Sequence, residues 1–564
     1  MLTGEEGPAA KRWEVRVLRN PEKRPSPPKL RLGPSSPVKN GRGVGWASSR
    51  YAGLIGLALL AIGAAPPPQP VDLLIRGGTV YTGTAAPFTG DVAVSGDRIV
   101  AVGRRLPGPA KRIIDAKGMI VAPGFIDPHT HMGEDLASDD PARRLIAAFL
   151  MQGVTTAFIG NDGGGDPDVG KVLGSAASRR VGINYATYVG FGAVRRDVLG
   201  DSNRAPDGAE LKRMKALVAN AMCRGALGLS TGLFYAPQSF ARTDEVIALA
   251  LEAGRRGGTY DSHLRDESSY TVGLAAAVEE ALAIGREARI PVNISHIKAL
   301  GVDVHGQAPA IIAKVEAALR KGQAVTADQY PWSASGTSLA ASLVPLWAQD
   351  GGRERLLGRL DDPRLRSGMA ENLRRRGGAA ALLITEGTFK GRTLAAIAAS
   401  RGEEPVAAAI AIIREGDPAV ASFNQIEPDI EAFMRRPWVM TGSDASTGHP
   451  RTYGSFARKY ARYVAARRVM TLRQFIERSS TLAADTFALN GRGRLKPGAF
   501  ADVVVFDPKR YAERATYERP ELTSAGVRTV IVNGVLAVDN GLLTGRAAGR
   551  PLAHRPTPGT CPGA

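Results

Sequence analysis

The stretch Val121-Ala-Pro-Gly-Phe-Ile-Asp-Pro-His-Thr-His131 is an apolar segment that ends in two histidines separated by one residue. Side chains of an extended strand alternate between its two faces, so both imidazoles of this pair point to the same side. Imidazole nitrogens are common ligands of zinc and related metals. The stretch therefore predicts a strand that carries part of a metal site at its carboxyl end.

Further short apolar segments follow this stretch and alternate with segments of helical length. Most of their ends are about 27–40 residues apart, the length of one strand and helix unit of a parallel sheet. Eight such units close into a barrel whose active site lies at the carboxyl ends of the strands. The sequence thus predicts the α/β class, with a (β/α)8 TIM-type barrel over residues 123–490. The predicted strand ends are His131, Asp162, Gly190, Ser230, His263, His296, Asp328 and Asp444.

Short β-rich segments flank the barrel on both sides. Strand patterns bounded by glycine, asparagine and proline occur in residues 70–122 and again in residues 491–550. We expect both ends of the chain to form one small composite β-sandwich. An insertion at about residues 333–438, between the seventh and eighth strands, is predicted to hold extra helices as a lid or flank, and residues 551–564 are predicted to be a tail.

Residues 1–69 are predicted to be a basic disordered leader that contains a signal peptide. The first 50 residues hold 11 Lys and Arg against 4 Glu, and residues 54–65 are apolar and end in small residues. Such a segment is typical of a secretory signal and is too short to span a bilayer. The length of the region before it suggests a start nearer Arg50 than Met1. We expect a periplasmic or secreted protein, or a cytoplasmic one if the segment is not a signal.

The formal net charge of +19 does not predict a nucleic-acid partner. Outside the leader the positive charge consists mostly of scattered arginines, without a basic stripe interleaved with aromatic residues. We expect a small-molecule substrate, no nucleic acid and no stable membrane span. The chain has two cysteines, Cys223 and Cys561. They do not amount to a disulfide framework and do not indicate a compartment.

Four of the seven histidines stand at or near predicted strand ends: His129, His131, His263 and His296. Their convergence on one barrel mouth is explained more simply by a metal site than by four separate structural roles. Asp444 ends the last strand, which lies next to the first once the barrel closes. Its carboxylate can bind metal, or accept a proton from metal-activated water and pass it to a leaving nitrogen. A turn-forming aspartate that caps the next helix is the alternative.

Several motifs resemble those of a known family. Residues 121–131 resemble the opening metal motif of the amidohydrolase superfamily, and residues 498–507 resemble its closing sandwich strand. More specific matches, in order over residues 70–550, resemble the N-acyl-D-amino-acid deacylases (D-aminoacylases). These are Gly225-Ala-Leu-Gly-Leu-Ser-Thr-Gly-Leu-Phe-Tyr-Ala-Pro237, Ser262-His-Leu-Arg-Asp-Glu-Ser268, Ile294-Ser-His-Ile-Lys298, Asp328-Gln-Tyr-Pro331 and His449-Pro-Arg-Thr-Tyr-Gly-Ser-Phe456.

The resemblance implies zinc-dependent hydrolysis of the amide bond of N-acyl-D-amino acids, which releases a carboxylate and a free D-amino acid. By this resemblance, His263 and His296 would bind the tightly held zinc. His129 and His131 would form a second, weaker divalent metal position. Asp444 would be a metal ligand and the general base, then acid, for a metal-activated water.

The same resemblance implies the substrate-binding residues. Arg451 would pair with the substrate carboxylate, because a planar guanidinium meets a carboxylate bidentately. Tyr235, Lys298 and Tyr330 would line the substrate and polarise the scissile carbonyl. For Lys298 and Tyr330, ordinary residues of the cavity rim are the alternative.

Two positions depart from the family pattern. Where the best-known members have a metal-binding cysteine after the second strand, this chain has Asp162. Because a carboxylate can bridge two cations and tolerates harder metals, we predict that Asp162 is a direct metal ligand. A simple Asn-Asp-Gly turn is the alternative at this position. Near Thr337 the family has a serine where this chain has Gly336, so the family's substrate preference is not carried over.

Two other functions remain open at this point. A ring-opening amidohydrolase of the hydantoinase or dihydroorotase kind would use a carboxylated lysine on the fourth strand, and residues 226–230 contain no lysine. A non-catalytic binding protein on a decayed barrel would have lost metal ligands. All five of the candidates named above, the four histidines and Asp444, are present.

Overall fold

The computed structural model describes residues 70–562. The predicted leader and signal peptide, residues 1–69, lie outside the described residues. Within residues 70–562, strands and helices alternate through the middle of the chain and strands predominate towards both ends, so the predicted α/β class is confirmed. In this part of the chain, no helix is long and apolar enough to cross a membrane.

The helices and strands have the following bounds in chain order. The strands are β1 (Val71–Val80), β2 (Phe88–Ser95), β3 (Arg98–Gly103), β4 (Ala110–Asp115), β5 (Ile120–Pro123), β6 (Phe125–Asp127), β7 (Val154–Ile159), β8 (Asn184–Thr187), β9 (Val189–Gly190), β10 (Gly228–Gly232), β11 (Thr259–His263), β12 (Val292–Ile294), β13 (Val325–Gln329), β14 (Ala334–Ser338), β15 (Leu382–Ile384), β16 (Ala419–Phe423), β17 (Val439–Thr441), β18 (Val503–Phe506), β19 (Val527–Val532), β20 (Val535–Asp539) and β21 (Leu542–Leu543). The α-helices are α1 (Gly133–Ala137), α2 (Pro141–Arg144), α3 (Ala147–Leu150), α4 (Val169–Ser178), α5 (Phe191–Leu199), α6 (Gly208–Cys223), α7 (Thr243–Arg255), α8 (Leu274–Ala288), α9 (Ala308–Arg320), α10 (Leu339–Leu343), α11 (Gly352–Arg359), α12 (Pro363–Arg375), α13 (Leu394–Arg401), α14 (Pro405–Glu415), α15 (Glu427–Met434), α16 (Arg451–Arg458), α17 (Leu472–Ile476) and α18 (Leu482–Thr486). Lys459–Ala466 and Glu477–Thr481 are π-helical.

Both ends of the described chain contribute to one sheet of nine strands. Its order is β21-β20-β19-β18-β5-β1-β2-β3, with β4 paired to β1, and the antiparallel pair of β18 and β5 joins the two ends. Successive side chains of β18 enter two different cores, as expected for a strand covered on both faces. Val503 and Val505 pack within this sheet's own core, whereas Val504 and Phe506 belong to the barrel core.

Eight strand positions of the described chain form the central ring: β6, β7, β8 with β9, β10, β11, β12, β13 and β17. Neighbouring strands are parallel. The ring closes where the chain after β17 runs beside the chain after β6. There Thr130 and Ala445 form a parallel bridge, and the Asp444 N–H donates to the His129 carbonyl at 2.9 Å. The carboxyl ends of the strands consequently meet at one mouth.

Five predicted strand ends were wrong by two to four residues. Strand β6 stops four residues before His131, and β10 runs two residues past Ser230. Strands β7, β12 and β17 stop before Asp162, His296 and Asp444, which have φ values of 54°, 34° and 50°. A left-handed backbone cannot continue a strand, and it is costly for residues other than glycine. Strained backbone of this kind concentrates at functional sites.

The insertion contains strands as well as the predicted helices. Strands β14, β16 and β15 form an antiparallel sheet in that order, with Thr337 and Ile384 both opposite Val420. This sheet and helices α10 to α14 enclose a separate apolar core that includes Leu343 and Met369. The strands were not predicted, because strands of three to five residues show too little alternation to be recognised.

The predicted tail packs against the barrel. Residues 549–562, here called the C-terminal strap, cross the amino ends of three barrel strands. Leu552 N–H donates to the Tyr185 carbonyl of β8, and His554 N–H donates to the Gly225 carbonyl before β10. The strap ends in a disulfide between Cys561 and Cys223, the last residue of α6, with Cα atoms 5.7 Å apart. The two cysteines, from which no disulfide framework was predicted, thus form a single bond between distant parts of the chain.

Candidate metal centre

The four histidines predicted as ligands lie together at the barrel mouth. His129 and His131 follow β6, His263 is the last residue of β11, and His296 follows β12. The ring centre of His296 lies 4.6 Å from that of His129 and 4.5 Å from that of His263. The imidazole of His131 is partly exposed, whereas the other three are buried.

The Asp162 carboxylate lies among all four imidazoles. Its oxygens are 3.3 Å from His129 Nε2 and 3.5 Å from His131 Nε2, His263 Nδ1 and His296 Nε2. Burial favours the neutral acid, but the surrounding imidazoles outweigh it and hold the pKa of Asp162 well below its usual range. The side chain thus points into the histidine cluster, although its backbone forms a turn.

Among the described residues the potential donor atoms form three groups, of which one contains His129, Asp261 and Asp328 and the other two share Asp162. Of the two that share Asp162, one contains His129, His131, Asp162 and Asp444, and the other contains Asp162, His263 and His296. Imidazole nitrogen and carboxylate oxygen are the donors of many zinc sites. His129 Nδ1, His129 Nε2 and Asp162 Oδ1 are buried and have no hydrogen-bond partner among residues 70–562. Because buried polar atoms without partners are rare and costly, the donor set fits one or two divalent cations.

Asp444 joins this cluster to an arginine. Its Oδ1 lies 3.3 Å from His131 Nε2, and its Oδ2 accepts a 2.6 Å hydrogen bond from Arg451 Nη1. Burial favours the neutral acid, but the Arg451 guanidinium and the nearby imidazoles hold the pKa of Asp444 well below its usual range. An ionised carboxylate beside the potential ligands is suited to accept a proton.

A network of buried polar side chains lies beneath the histidines. Asn293 Nδ2 donates to Asp261 at 2.8 Å and to Asp328 at 2.9 Å, and Asp328 accepts the His296 N–H at 3.0 Å. Asn161 Nδ2 donates to Asp261 at 3.0 Å. Burial raises the pKa of Asp261 to about 6. The network fixes the backbone at His296 and at Asn161, the residue before Asp162. Hydrogen-bond partners of metal ligands commonly orient the ligands in this way.

Sequence reasoning missed Glu267. Its carboxylate accepts a 2.5 Å hydrogen bond from Lys298 Nζ and lies 3.1 Å from His296 Nδ1. Burial favours its neutral form, but Lys298 and the histidines outweigh this and hold the pKa of Glu267 well below its usual range. Glu267 thereby fixes two predicted site residues. The sequence feature that could have identified Glu267 is its position in the Ser262–Ser268 motif, four residues after His263.

A cavity of about 480 Å³ opens above the donor cluster. All four predicted substrate-binding residues line it: Tyr235, Lys298, Tyr330 and Arg451. The centre of the buried Tyr330 ring lies near two cations, 5.7 Å from Lys298 Nζ and 5.1 Å from Arg451 Cζ. Tyr235 lies 4.8 Å from the His263 ring, and its hydroxyl accepts a 3.4 Å hydrogen bond from Thr337 Oγ1.

Gly336 also lines this cavity, where relatives were expected to carry serine. A Cβ atom at this position would lie 3.0 Å from Arg451 Nη2 and 3.4 Å from the His449 ring. Such contacts are closer than ordinary van der Waals separations. The glycine therefore leaves room for the Arg451 guanidinium in the position that it takes here.

Comparisons with known proteins agree on the family. The chain matches the amidohydrolase family over residues 362–538. It is 34% identical over 515 residues to the D-aminoacylase of Alcaligenes xylosoxydans xylosoxydans, which covers 86% of this chain and 98% of that relative. It is 33% identical over 497 residues to the N-acyl-D-glutamate deacylase of the same organism, which covers 83% of this chain and 93% of the relative.

The structural comparison gives the same answer. A crystal structure of N-acyl-D-glutamate deacylase from Bordetella bronchiseptica, complexed with zinc and a phosphonate inhibitor, matches with a TM-score of 0.74 and 32% identity. The match covers 86% of this chain and 100% of that one. The chain therefore belongs to the N-acyl-D-amino-acid deacylase (D-aminoacylase) family of the amidohydrolase superfamily and is an enzyme that hydrolyses amide bonds.

Proposed function

We propose that this enzyme hydrolyses N-acyl-D-amino acids in a zinc-dependent reaction and releases a carboxylate and a free D-amino acid. The observation that carries the proposal is the position of the Asp444 and Arg451 pair beside the donor cluster around Asp162, within one cavity. The activities named for the two Alcaligenes relatives support the substrate class and the D configuration. The zinc complex of the Bordetella relative supports the metal.

The residues divide into two metal positions. We assign Asp162, His263 and His296 to the tight position, and His129, His131, Asp162 and Asp444 to a second, weaker one. A bound divalent cation would polarise the amide carbonyl and acidify a water molecule. The lysine that ring-opening relatives would need on the fourth strand is absent from β10, Gly228–Gly232.

Asp444 performs the proton transfers. Its ionised carboxylate accepts a proton from the attacking water and later delivers it to the leaving nitrogen as the C–N bond breaks. Arg451 and the burial of the pair hold the carboxylate in one orientation. Positioning of this kind lowers the barrier because the proton acceptor does not have to be ordered during the reaction.

Arg451, Lys298, Tyr330 and Tyr235 orient the substrate. In the structure the Arg451 guanidinium already binds a carboxylate, and its Nε and Nη2 contact Ser446 Oγ at 3.2 Å and 2.9 Å. The substrate carboxylate would take the same kind of contact beside Lys298 and Tyr330. The hydroxyl of Tyr235, next to the His263 ring, would donate to the scissile carbonyl oxygen.

Screening of zinc-loaded protein against N-acetyl-D-amino acids, N-acetyl-L-amino acids and hydantoins tests this function. We expect acetate release from the D series, loss of activity with a chelator and recovery with zinc. Ring opening of hydantoins without deacylation would contradict the proposal. Equal rates on D and L substrates would refute the proposed stereochemistry.

We also propose that the protein is exported to an oxidising compartment. The apolar segment at residues 54–65 supports this, and so does the Cys223–Cys561 disulfide, because such bonds persist in the periplasm and outside cells. Mass spectrometry of protein from a secreting bacterial host should find a mature amino terminus near residues 64–70. An intact terminus before Arg50 would refute export by this segment.

A further inference from the structure

Arg376 is a buried arginine in the wall of the same cavity. It follows α12 directly and is only 2% exposed. Its Nε donates to the Ser342 carbonyl at 3.0 Å, and its Nη1 donates to Ser422 Oγ at 3.2 Å. Both partners are neutral, and Arg376 is one of the residues that line the cavity. The side chain is therefore held in place without charge compensation.

Two neighbouring arginines show the contrast. Arg374, whose side chain is 52% exposed, pairs with Asp303 at 2.9 Å and with Glu371 at 2.8 Å. Arg375 pairs with Glu371 at 3.1 Å. Among residues 70–562, no carboxylate lies within ion-pair distance of Arg376, the most buried of the three. A guanidinium keeps its charge in proteins, and a buried charge without a counter-ion is strongly destabilising.

Tyr270 supplies a second unpaired group at this wall. Its ring centre lies 5.6 Å from Arg376 Cζ, and its buried hydroxyl has no hydrogen-bond partner among residues 70–562. Tyr270 also lines the cavity and stacks obliquely on Phe234, which in turn adjoins His263. Arg376 and Tyr270 thus lie on the side of the donor cluster where His263 is, whereas Arg451 lies beside Asp444.

Acidic residues of the same cavity do not compensate Arg376. Glu267 pairs with Lys298, and Asp417 accepts a 2.7 Å hydrogen bond from the Ala340 N–H. The cavity therefore contains two guanidinium groups in different surroundings. Arg451 has a carboxylate partner within the protein, and Arg376 has none among the described residues.

We propose that Arg376 and Tyr270 form a second anion-recognition point, so that the preferred substrate carries a negative charge in addition to its α-carboxylate. This inference rests on the proposed function, because the cavity is taken as the substrate site. A carboxylate on the amino-acid side chain or on the acyl group would neutralise the charge of the Arg376 guanidinium. It would also accept a hydrogen bond from the Tyr270 hydroxyl. Charge-assisted hydrogen bonds of this kind are the strong ones.

Matched substrate pairs locate the charge. N-acetyl-D-glutamate against N-acetyl-D-glutamine tests the side chain, and N-succinyl-D-alanine against its terminal amide tests the acyl group. We expect kcat/KM to favour the charged member at least tenfold in one of the two pairs. A preference for the neutral member in both pairs would overturn the proposal.

Variants separate recognition from a structural role. Arg376→Gln and Tyr270→Phe should lower the charged-to-neutral ratio of kcat/KM towards one, with the larger change for Arg376→Gln. Arg374→Gln, at the exposed neighbour, should keep the wild-type ratio. If Arg376 only stabilises the insertion, Arg376→Gln lowers both rates alike and the unchanged ratio refutes the inference. Should Arg376→Gln fail to fold, the Tyr270→Phe ratio decides.

A binding measurement distinguishes this inference from the proposed function. Calorimetry of zinc-loaded wild-type protein can compare the binding of D-glutamate with that of D-glutamine, and the binding of succinate with that of succinamate. This measurement needs no turnover. Tighter binding of D-glutamate or succinate than of its amide supports the anion point even if no N-acyl-D-amino acid is hydrolysed. Equal binding within both pairs overturns it even if deacylation is observed.

Discussion

Arg451 Nη1 lies 2.6 Å from Asp444 Oδ2, and both side chains are buried at the edge of the histidine cluster. Arg451, which we propose binds the substrate carboxylate, therefore also holds Asp444, which we propose transfers the proton. If substrate binding drew the guanidinium away from Asp444, the carboxylate would become more basic, and the two proposed roles would be linked through this one contact.

Arg451→Lys should raise KM for an N-acyl-D-amino acid by about tenfold or more, since a charge-assisted hydrogen bond contributes roughly 1.5–3 kcal/mol. Lysine keeps the positive charge but cannot form the bidentate contact. The matched N-acyl amine, which has no carboxylate, is the control substrate and should show a much smaller change. Equal effects on both substrates would exclude a carboxylate-binding role.

Asp444→Asn should lower kcat by about 10²-fold or more, because proton transfer by a positioned group contributes about 10²–10⁴-fold to rates. The amide is nearly isosteric but cannot accept the proton. The content of the tightly bound metal, measured by atomic emission, should stay near that of the wild type, whereas His263→Ala and His296→Ala should lose it. Turnover of Asp444→Asn within a few-fold of wild type would disprove the acid and base assignment.

Asp162→Cys and Asp162→Ala test the shared ligand. A thiolate can replace a carboxylate on zinc, so Asp162→Cys should keep zinc and measurable activity. Asp162→Ala should lose both, because the only side chain common to the two proposed metal positions is removed. Full metal content and near-normal turnover of Asp162→Ala would show that Asp162 is only a turn residue.

Lys459→Met should stabilise the protein, with the largest gain below pH 7. Lys459 is fully buried, and its Nζ makes one hydrogen bond among residues 70–562, to the Met440 carbonyl at 3.4 Å. Burial lowers its pKa to about 7. The wild-type protein therefore gains stability as the pH rises from 7 towards the unfolded-state pKa of about 10.4, by up to about 1.4 kcal/mol per pH unit.

Thermal unfolding of Lys459→Met and wild type from pH 6 to 9 measures this difference, which should shrink as the pH rises. Lys390→Met, at an exposed lysine, should follow the wild type throughout. A difference that is constant with pH would contradict a lowered pKa of Lys459 in the folded protein.

Cys223→Ser should lower the free energy of unfolding by about 2–4 kcal/mol under oxidising conditions, the typical contribution of a disulfide. Cys561→Ser should have the same effect, and the double variant should have no larger one, because both remove a single bond. Thermal unfolding with and without a reductant measures the contribution. Wild-type protein that is insensitive to reductant would show that the bond does not stabilise the fold.

The donor cluster could be predicted in large part because its signals are local. His129 and His131 stand two residues apart after an apolar run, and the regular spacing of strand ends places the later histidines at the same mouth. The chemistry of imidazole and carboxylate then indicates a metal. Asp162 was predicted as a ligand because it stands where relatives carry a metal-binding cysteine, whereas its left-handed backbone was not predicted.

Contacts between distant residues could not be predicted in this way. Glu267 meets Lys298 only because β11 and β12 are neighbours in the barrel, and Arg376 reaches the cavity through an insertion whose own fold had no clear pattern. Nothing near Cys223 or Cys561 indicates a partner 338 residues away. Such pairs depend on the tertiary arrangement and not on any short segment.

The disulfide of the C-terminal strap also determines what a protease can do to this enzyme. Because Cys223 and Cys561 are joined, residues 223–561 form a covalent ring that includes the insertion and the later barrel strands. A single cut in any exposed loop of that ring opens the chain without releasing a fragment. A nicked molecule would therefore migrate as one species until its disulfide is reduced, and only then separate into two.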